Sequence, residues 1–284
     1  MAEILKGAPA AQNLSLNLIK RVEILKSKNI TPTLEILRLG ARPDDLSYES
    51  GIIKRCGKVG IEVKKIILDA SCPREELLNA IKLANQDNKV HGVIMFRPLG
   101  NKELEQAARD LLKPEKDVDG MTDGSLAGVF SNRDIGFAPC TAQACIELLD
   151  FYNIDLTGKN IAVLGRSLVI GRPVSILLQN KNATVTMCHS KTKNLAEICR
   201  QSDIIIAAMG RANFVDKNFI NKDLKQVIID VGININDEGK LCGDVNFSEL
   251  ESLVKAITPV PGGVGAVTTS VLAEHVVRAA EKYL

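Results

Sequence analysis

"VLGRSLVIGRP" (residues 163–173) is the stretch on which the reading of the fold turns. It closes a short apolar run, "KNIAVLG", and opens a helical pattern. Gly165 suits a tight strand-to-helix turn, Gly171 close packing of the helix on that turn, and Pro173 a first helical turn. Backbone N–H groups at such a helix start hold phosphate. Ser167 stands where a G-x-G-x-x-G turn has its second glycine, so the same text also fits a tight turn with no ligand. Downstream, "ATVTMCHS", "SDIIIAAMG" and "QVIIDVG" are apolar runs ending in Gly or small polar residues. Runs of this kind are buried parallel strands whose C-terminal ends form a ligand crevice.

An acid about 20 residues past such a turn binds the ribose 2′-hydroxyl of NAD. Here the corresponding strand ends "MCHSKTK": no acid, but Ser190, Lys191 and Lys193, with Arg166 in the first turn. A cationic, hydroxyl-bearing end favours the 2′-phosphate of NADP; the lysines equally fit a solvated face.

Before this region the chain alternates strand and helix texts. "TLEILRLG", "IEVKKIIL" and "VHGVIMF" read as strands. "SYESGIIKRCGKV", "PREELLNAIKLANQD" and "NKELEQAARDLL" read as helices, with Pro73 at a first helical position and Asn101 as an N-cap. This rhythm predicts a parallel sheet with helical covers. Residues 113–141 are rich in Gly, Asp, Ser and Pro and lack periodicity, as a functional loop or domain crossover would. The expected architecture is α/β in two three-layer domains. The first spans 1–139, with a C-terminal helix (266–284) packing back on it, and the second, Rossmann-like, spans 140–265.

The 284 residues are 45% hydrophobic and 25% charged, with a net charge of +2. Near-neutrality argues against nucleic-acid or membrane partners. Scarce aromatics (4%, no Trp) argue against a stacking platform for single strands. No apolar run reaches the roughly 18 residues of a membrane span, and the first residues lack a signal-peptide core. Seven scattered cysteines without a CxxC suggest reduced thiols and a cytoplasmic protein. His91, His189 and His275 are isolated, so no metal is expected; His189 falls near the nucleotide, and His275 at the surface or in packing.

Taken together, "GRSLVIGRP", "ATVTMCHSKT", "IIDVGIN" and "TPVPGGVGAVT", with "PEKDVDG" and "FAPCT", resemble the methylenetetrahydrofolate dehydrogenase/cyclohydrolase family over nearly the whole chain. The resemblance implies a homodimer, NADP in the second domain and a tetrahydrofolate derivative in a cleft between domains. It implies that Asp119 holds the pterin and that Tyr48 lines the folate ring, both with catalytic roles. It assigns Arg166 and Ser190 to the 2′-phosphate and Ser167, with the Gly165–Gly171 turn, to the phosphates. Ile233 and Thr268 fall near the nicotinamide, and Pro261, Gly262 and Gly263 near the substrate. Asp119 beside Gly120, and Gly262 with Gly263, also read as ordinary turn formers.

Two departures from the family pattern bear on chemistry. The family has a Lys four residues after the Tyr; this chain has Ile52. On a helix, i and i+4 share a face, whereas Lys54 at i+6 points roughly 120° away. The family's V-Q-L-P-L reads "MFRPL" here, with Phe96 for the Gln that orients that Lys, and Arg97 beside it. Milder departures are "PCTAQ", without the usual proline and glycine, and Ala266 where proline is usual. The expectation is NADP-dependent oxidation of methylenetetrahydrofolate to methenyltetrahydrofolate, with cyclohydrolase activity weak or lost. A folate- and NADP-binding paralogue without turnover, or a dehydrogenase for another small substrate, are the competing readings.

Overall fold

The structure, a computed structural model, describes residues 1–236 and 238–284. The chain divides into two compact units: Gln12–Cys140 with Thr269–Leu284, and Met1–Ala11 with Thr141–Thr268.

In the first of these, a three-stranded parallel sheet has the order β3-β2-β4, from β2 (Thr33–Leu39), β3 (Glu62–Leu68) and β4 (Gly92–Met95). Its helices are α2 (Pro43–Val59), α3 (Arg74–Gln86), α4 (Lys102–Leu111) and α5 (Asp123–Ser131), with most of α1 (Gly7–Ser27). The central strand, β2, is buried along its length, as a strand covered on both faces must be, while edge strand β3 is half exposed. The buried charge of Arg38 on β2 is tolerated because Glu49 of α2 accepts from it at 2.6 Å, which ties helix to sheet.

The other unit holds a six-stranded parallel sheet, order β1-β11-β8-β7-β5-β6. It comprises β1 (Glu3–Ile4), β5 (Asn160–Leu164), β6 (Thr184–Cys188), β7 (Ile204–Ala207), β8 (Val227–Asp230) and β11 (Ala256–Ile257). A two-stranded antiparallel ribbon pairs β9 (Asn234–Ile235) with β10 (Leu241–Cys242). The helices are α6 (Cys140–Phe151), α7 (Gly171–Asn180), α8 (Leu195–Arg200) and α9 (Phe247–Leu250), with the start of α10 (Gly265–Glu281). Strand order reverses between β5 and β7, the switch point where doubly wound sheets open a crevice.

Several expectations need correction. Residues 1–11 group with the six-stranded unit, not with the rest of the expected first domain, because β1 adds to the edge of that sheet beside β11. Helix α1 had no counterpart in the sequence reading. Pro73 precedes α3 and is not its first residue, and α2 starts at Pro43, before the expected Ser47. The aperiodic stretch 113–141 contains α5, capped by the Thr122 hydroxyl, which accepts from Ser125 N. Gly128 hides this helix from a propensity reading, yet it is required: a Cβ there would lie 2.1 Å from the Ile135 carbonyl oxygen. Asn101 is an N-cap as expected, its side chain accepting from Leu104 N.

Candidate active site

In the six-stranded unit the ends of β5, β6 and β7 enclose a cavity of about 540 Å³. Gly165, Arg166, Ser167 and Ser190 line it, together with His189 and Arg211. Gly165 has φ +131°, and a Cβ on it would meet the Ala208 carbonyl oxygen at 2.2 Å. Gly171 does not line the cavity. It lets α7 start against the turn: its Cβ would lie 2.2 Å from Gly165 O and 2.7 Å from Arg166 N. The Ser167 hydroxyl accepts from Ile170 N at 3.2 Å, which shapes the same turn. We therefore expect Gly171→Ala to destabilise the protein by about 1–3 kcal/mol through overpacking and to weaken dinucleotide binding, checked by thermal unfolding and an NADP titration.

Lys191 and Lys193 are exposed and do not line the cavity. The second cation is Arg211, which sequence reasoning missed; its guanidinium lies 4.2 Å from the centre of the Phe214 ring. The signal was there, in an Arg just past the strand end "AAMG". No carboxylate lines this cavity among the described residues.

A second cavity of about 310 Å³ lies in the same unit, at the ends of β8 and β11. Ile233, Pro261, Gly262 and Gly263 line it, as does Asp230. Ile233 is 70% exposed, so its side chain is accessible from this cavity. Thr268 lies beyond the lining, which ends at Ala266, and its hydroxyl donates back to Val264 O at 3.4 Å.

In the three-stranded unit, α2 carries Tyr48 and Ile52. The buried face of α2 runs through Asp45, Glu49, Ile52, Cys56 and Val59. Ile52 is fully buried, whereas Lys54 is exposed. Tyr48 and Phe96 place their rings 5.5 Å apart, tilted by 36°. Arg42, paired with Asp45 at the start of α2, also donates to the Arg97 carbonyl at 2.6 Å, which holds the Phe96–Arg97 segment to the helix. Desolvation, with the nearby Asp119 charge, pushes the Tyr48 hydroxyl well above the usual phenol range. Desolvation raises the Asp119 carboxyl to about 6; Arg97 opposes that rise and Asp117 adds to it.

The segment "KDVDG" divides its work. Lys116 is buried and donates to the Ala84 and Asp87 carbonyls, each at 2.7 Å, at the end of α3. Asp117, fully buried, accepts from Met121 N, Thr122 N and the Ser125 hydroxyl at the start of α5. The Val118 carbonyl meets Cys140 Sγ at 3.2 Å and His275 Nδ1 at 2.8 Å. His275 is thus a buried residue, not a surface one; burial lowers its pKa to about 4, so the neutral ring donates to that carbonyl. The Asp119 carboxylate, by contrast, takes no backbone partner in this network and has the Cys140 thiol as its side-chain hydrogen-bond partner.

Residues 5–119 match the catalytic domain of the tetrahydrofolate dehydrogenase/cyclohydrolase family, and residues 139–284 match its NAD(P)-binding domain. The chain belongs to this family. The family's catalytic domain spans Tyr48, Ile52, Phe96 and Asp119, and its NAD(P)-binding domain spans both cavities. Among relatives, the bifunctional protein FolD of Clostridioides difficile is 48% identical over 98% of this chain and 96% of that one. The crystal structure of bifunctional FolD from Campylobacter jejuni superposes with a TM-score of 0.94 at 34% identity and covers all of both chains. A Trypanosoma brucei FolD structure, complexed with NADP cofactor and inhibitor, gives 0.91 at 32% identity over 99% of this chain and 98% of that chain.

Proposed function

We propose that this protein oxidises methylenetetrahydrofolate to methenyltetrahydrofolate with NADP+ and that its cyclohydrolase activity is weak or lost. The observations that carry the second half are the fully buried Ile52, the Tyr48–Phe96 ring pair, and Lys54 exposed on α2.

NADP suits the residues present: a glycine turn at the start of α7, Arg166 and Arg211 in one cavity, and no carboxylate there to repel a 2′-phosphate. Bound there, NADP+ would supply the acceptor for a hydride from the methylene carbon. The substrate then becomes a cation shared by two nitrogens, and no proton leaves, so the protein has mainly to bind and orient. We assign Asp119 to accept hydrogen bonds from the pterin N–H groups, and Tyr48 with Phe96 to line the ring. We assign Pro261, Gly262, Gly263 and Ile233 to the nicotinamide end, and Arg166 and Ser190 to the 2′-phosphate. Thr268 acts on that end only through the Gly262–Ala266 turn that its hydroxyl helps to hold.

Hydrolysis of the cation differs. Water adds to the carbon, one C–N bond opens to the formyl product, and a proton is released. A base with a tuned pKa serves that step. Ile52 and Phe96 offer none, Arg97 stays protonated at neutral pH, and an apolar wall excludes the water. The seven cysteines are free thiols, which fits action in the cytoplasm; the same reading has the protein working as a homodimer. Among the described residues, no helix is long and apolar enough to cross a membrane.

The test is one reaction mixture of protein, methylenetetrahydrofolate and NADP+, with NADPH and methenyltetrahydrofolate followed separately. NADPH formed together with accumulating methenyltetrahydrofolate is the expected result. NADPH without that accumulation would show that another group supplies the base. No turnover with NADP+ or NAD+ would favour a binding protein. Arg166→Ala is expected to raise KM for NADP+ about tenfold or more while changing KM for NAD+ little; equal changes for both would remove Arg166 from the 2′-phosphate.

A further inference from the structure

Two buried aspartates in the six-stranded unit have no part in the reaction above. Asp244 follows β10 and Asp230 ends β8; both are buried. Asp244 accepts from three consecutive backbone amides, Met209 (2.5 Å), Gly210 (3.1 Å) and Arg211 (2.7 Å), and from the Asn234 carboxamide (2.9 Å). Asp230 accepts from Gly232 N, Asp244 N and Val245 N at 3.0–3.1 Å. The fit is close. A Cβ on Gly232 would lie 2.3 Å from the Asp244 carboxyl group, and one on Gly243 would lie 1.8 Å from Asp230 Oδ2. Glycine is therefore required at both places so that each carboxylate can reach the other's loop.

The donors lead to both cavities. Met209 and Arg211 line the cavity that holds Arg166; Gly232 and Ile233, next to Asn234, line the other. Asp244 lines neither. We infer that Asp244, braced by Asp230, is a positioning residue that holds the loop after β7 and the turn after β8 in register, so that one dinucleotide meets both cavities at once. A single carboxylate suits this task because it offers several acceptor sites, and loop amides left unpaired would turn elsewhere. The inference rests on the dinucleotide reading of the two cavities.

The intact protein is titrated with NADP+ and with adenosine 2′,5′-bisphosphate, a probe of the Arg166 cavity alone. Asp244→Asn puts an N–H where an acceptor stood. It is expected to weaken both ligands about tenfold or more, with folate binding and the thermal transition retained. Asn234→Ala cuts only the tether to the turn after β8. It is expected to weaken NADP+ severalfold and leave the bisphosphate unchanged. A residue important only for folding would not split the two probes. Should Asp244→Asn fail to fold, Asn234→Ala still decides by that split. Unchanged NADP+ affinity in a folded Asp244→Asn, or equal losses for both probes in Asn234→Ala, would overturn the inference while leaving the cofactor assignment standing. If the parent protein binds neither probe, the cofactor reading falls and the inference falls with it.

Discussion

Replacing Ile52 by Lys together with Phe96 by Gln is expected to raise methenyltetrahydrofolate hydrolysis by roughly 10²- to 10⁴-fold, the range a positioned general base supplies. Position 52 is fully buried and one helical turn from Tyr48, so an amine there would be stripped of water and its pKa lowered toward neutrality. Gln at 96 would give that amine a hydrogen-bond partner in place of a phenyl ring. The single Ile52→Lys change is expected to gain less and to melt earlier, because a buried amine without a partner is costly. Dehydrogenation should change far less than hydrolysis in the double variant. Both activities are measured on the same preparation beside a thermal melt. A folded double variant with parental hydrolysis would count against the account of Ile52.

Asp119→Asn is expected to lower kcat/KM for methylenetetrahydrofolate by about 10²-fold, because a charged acceptor becomes a group that also presents N–H donors to the pterin. KM for NADP+ should stay near its parental value. The parent's own pH profile offers a check. Desolvation raises the Asp119 carboxyl to about 6, and in the role proposed for it the ionised form is the acceptor. Affinity for the folate is therefore full above that pH and falls as pH drops through it. Arg97 opposes the rise, so Arg97→Leu is expected to move the acid limb to higher pH. An acid limb in the same place in Asp119→Asn would assign it to another group.

The strands were legible because buried parallel strands are continuous apolar runs: "KNIAVLG", "SDIIIAAMG" and "QVIIDVG" contain β5, β7 and β8. The two-residue strands β1 and β11 were not, since so short a segment is defined by its partner and carries no pattern of its own. Helix α5 escaped because its glycines are chosen for close approach, against their propensity. For the site, the turn at Gly165 could be read directly from residue type and spacing, whereas the departures at Ile52 and Phe96 were legible only against the pattern of the family that the chain resembles. Asp244 and Asn234 could not, since their relation to the loop after β7 depends on which strand ends lie side by side, and the sheet order alone decides that.

The pentapeptide "KDVDG" carries a warning for mutational scanning. Alanine at 116, 117 or 119 is expected to lower turnover in each case, and the three losses would look alike in an activity screen. The first two would come from helix ends left undone, since Lys116 and Asp117 spend their bonds on α3 and α5. Those two variants would be lost as soluble protein, or recovered at lower temperature. The third is expected to remain abundant and folded, with turnover lowered through the loss of the acceptor proposed above. Abundance scored beside activity separates the residues that build this loop from the one proposed to meet the substrate.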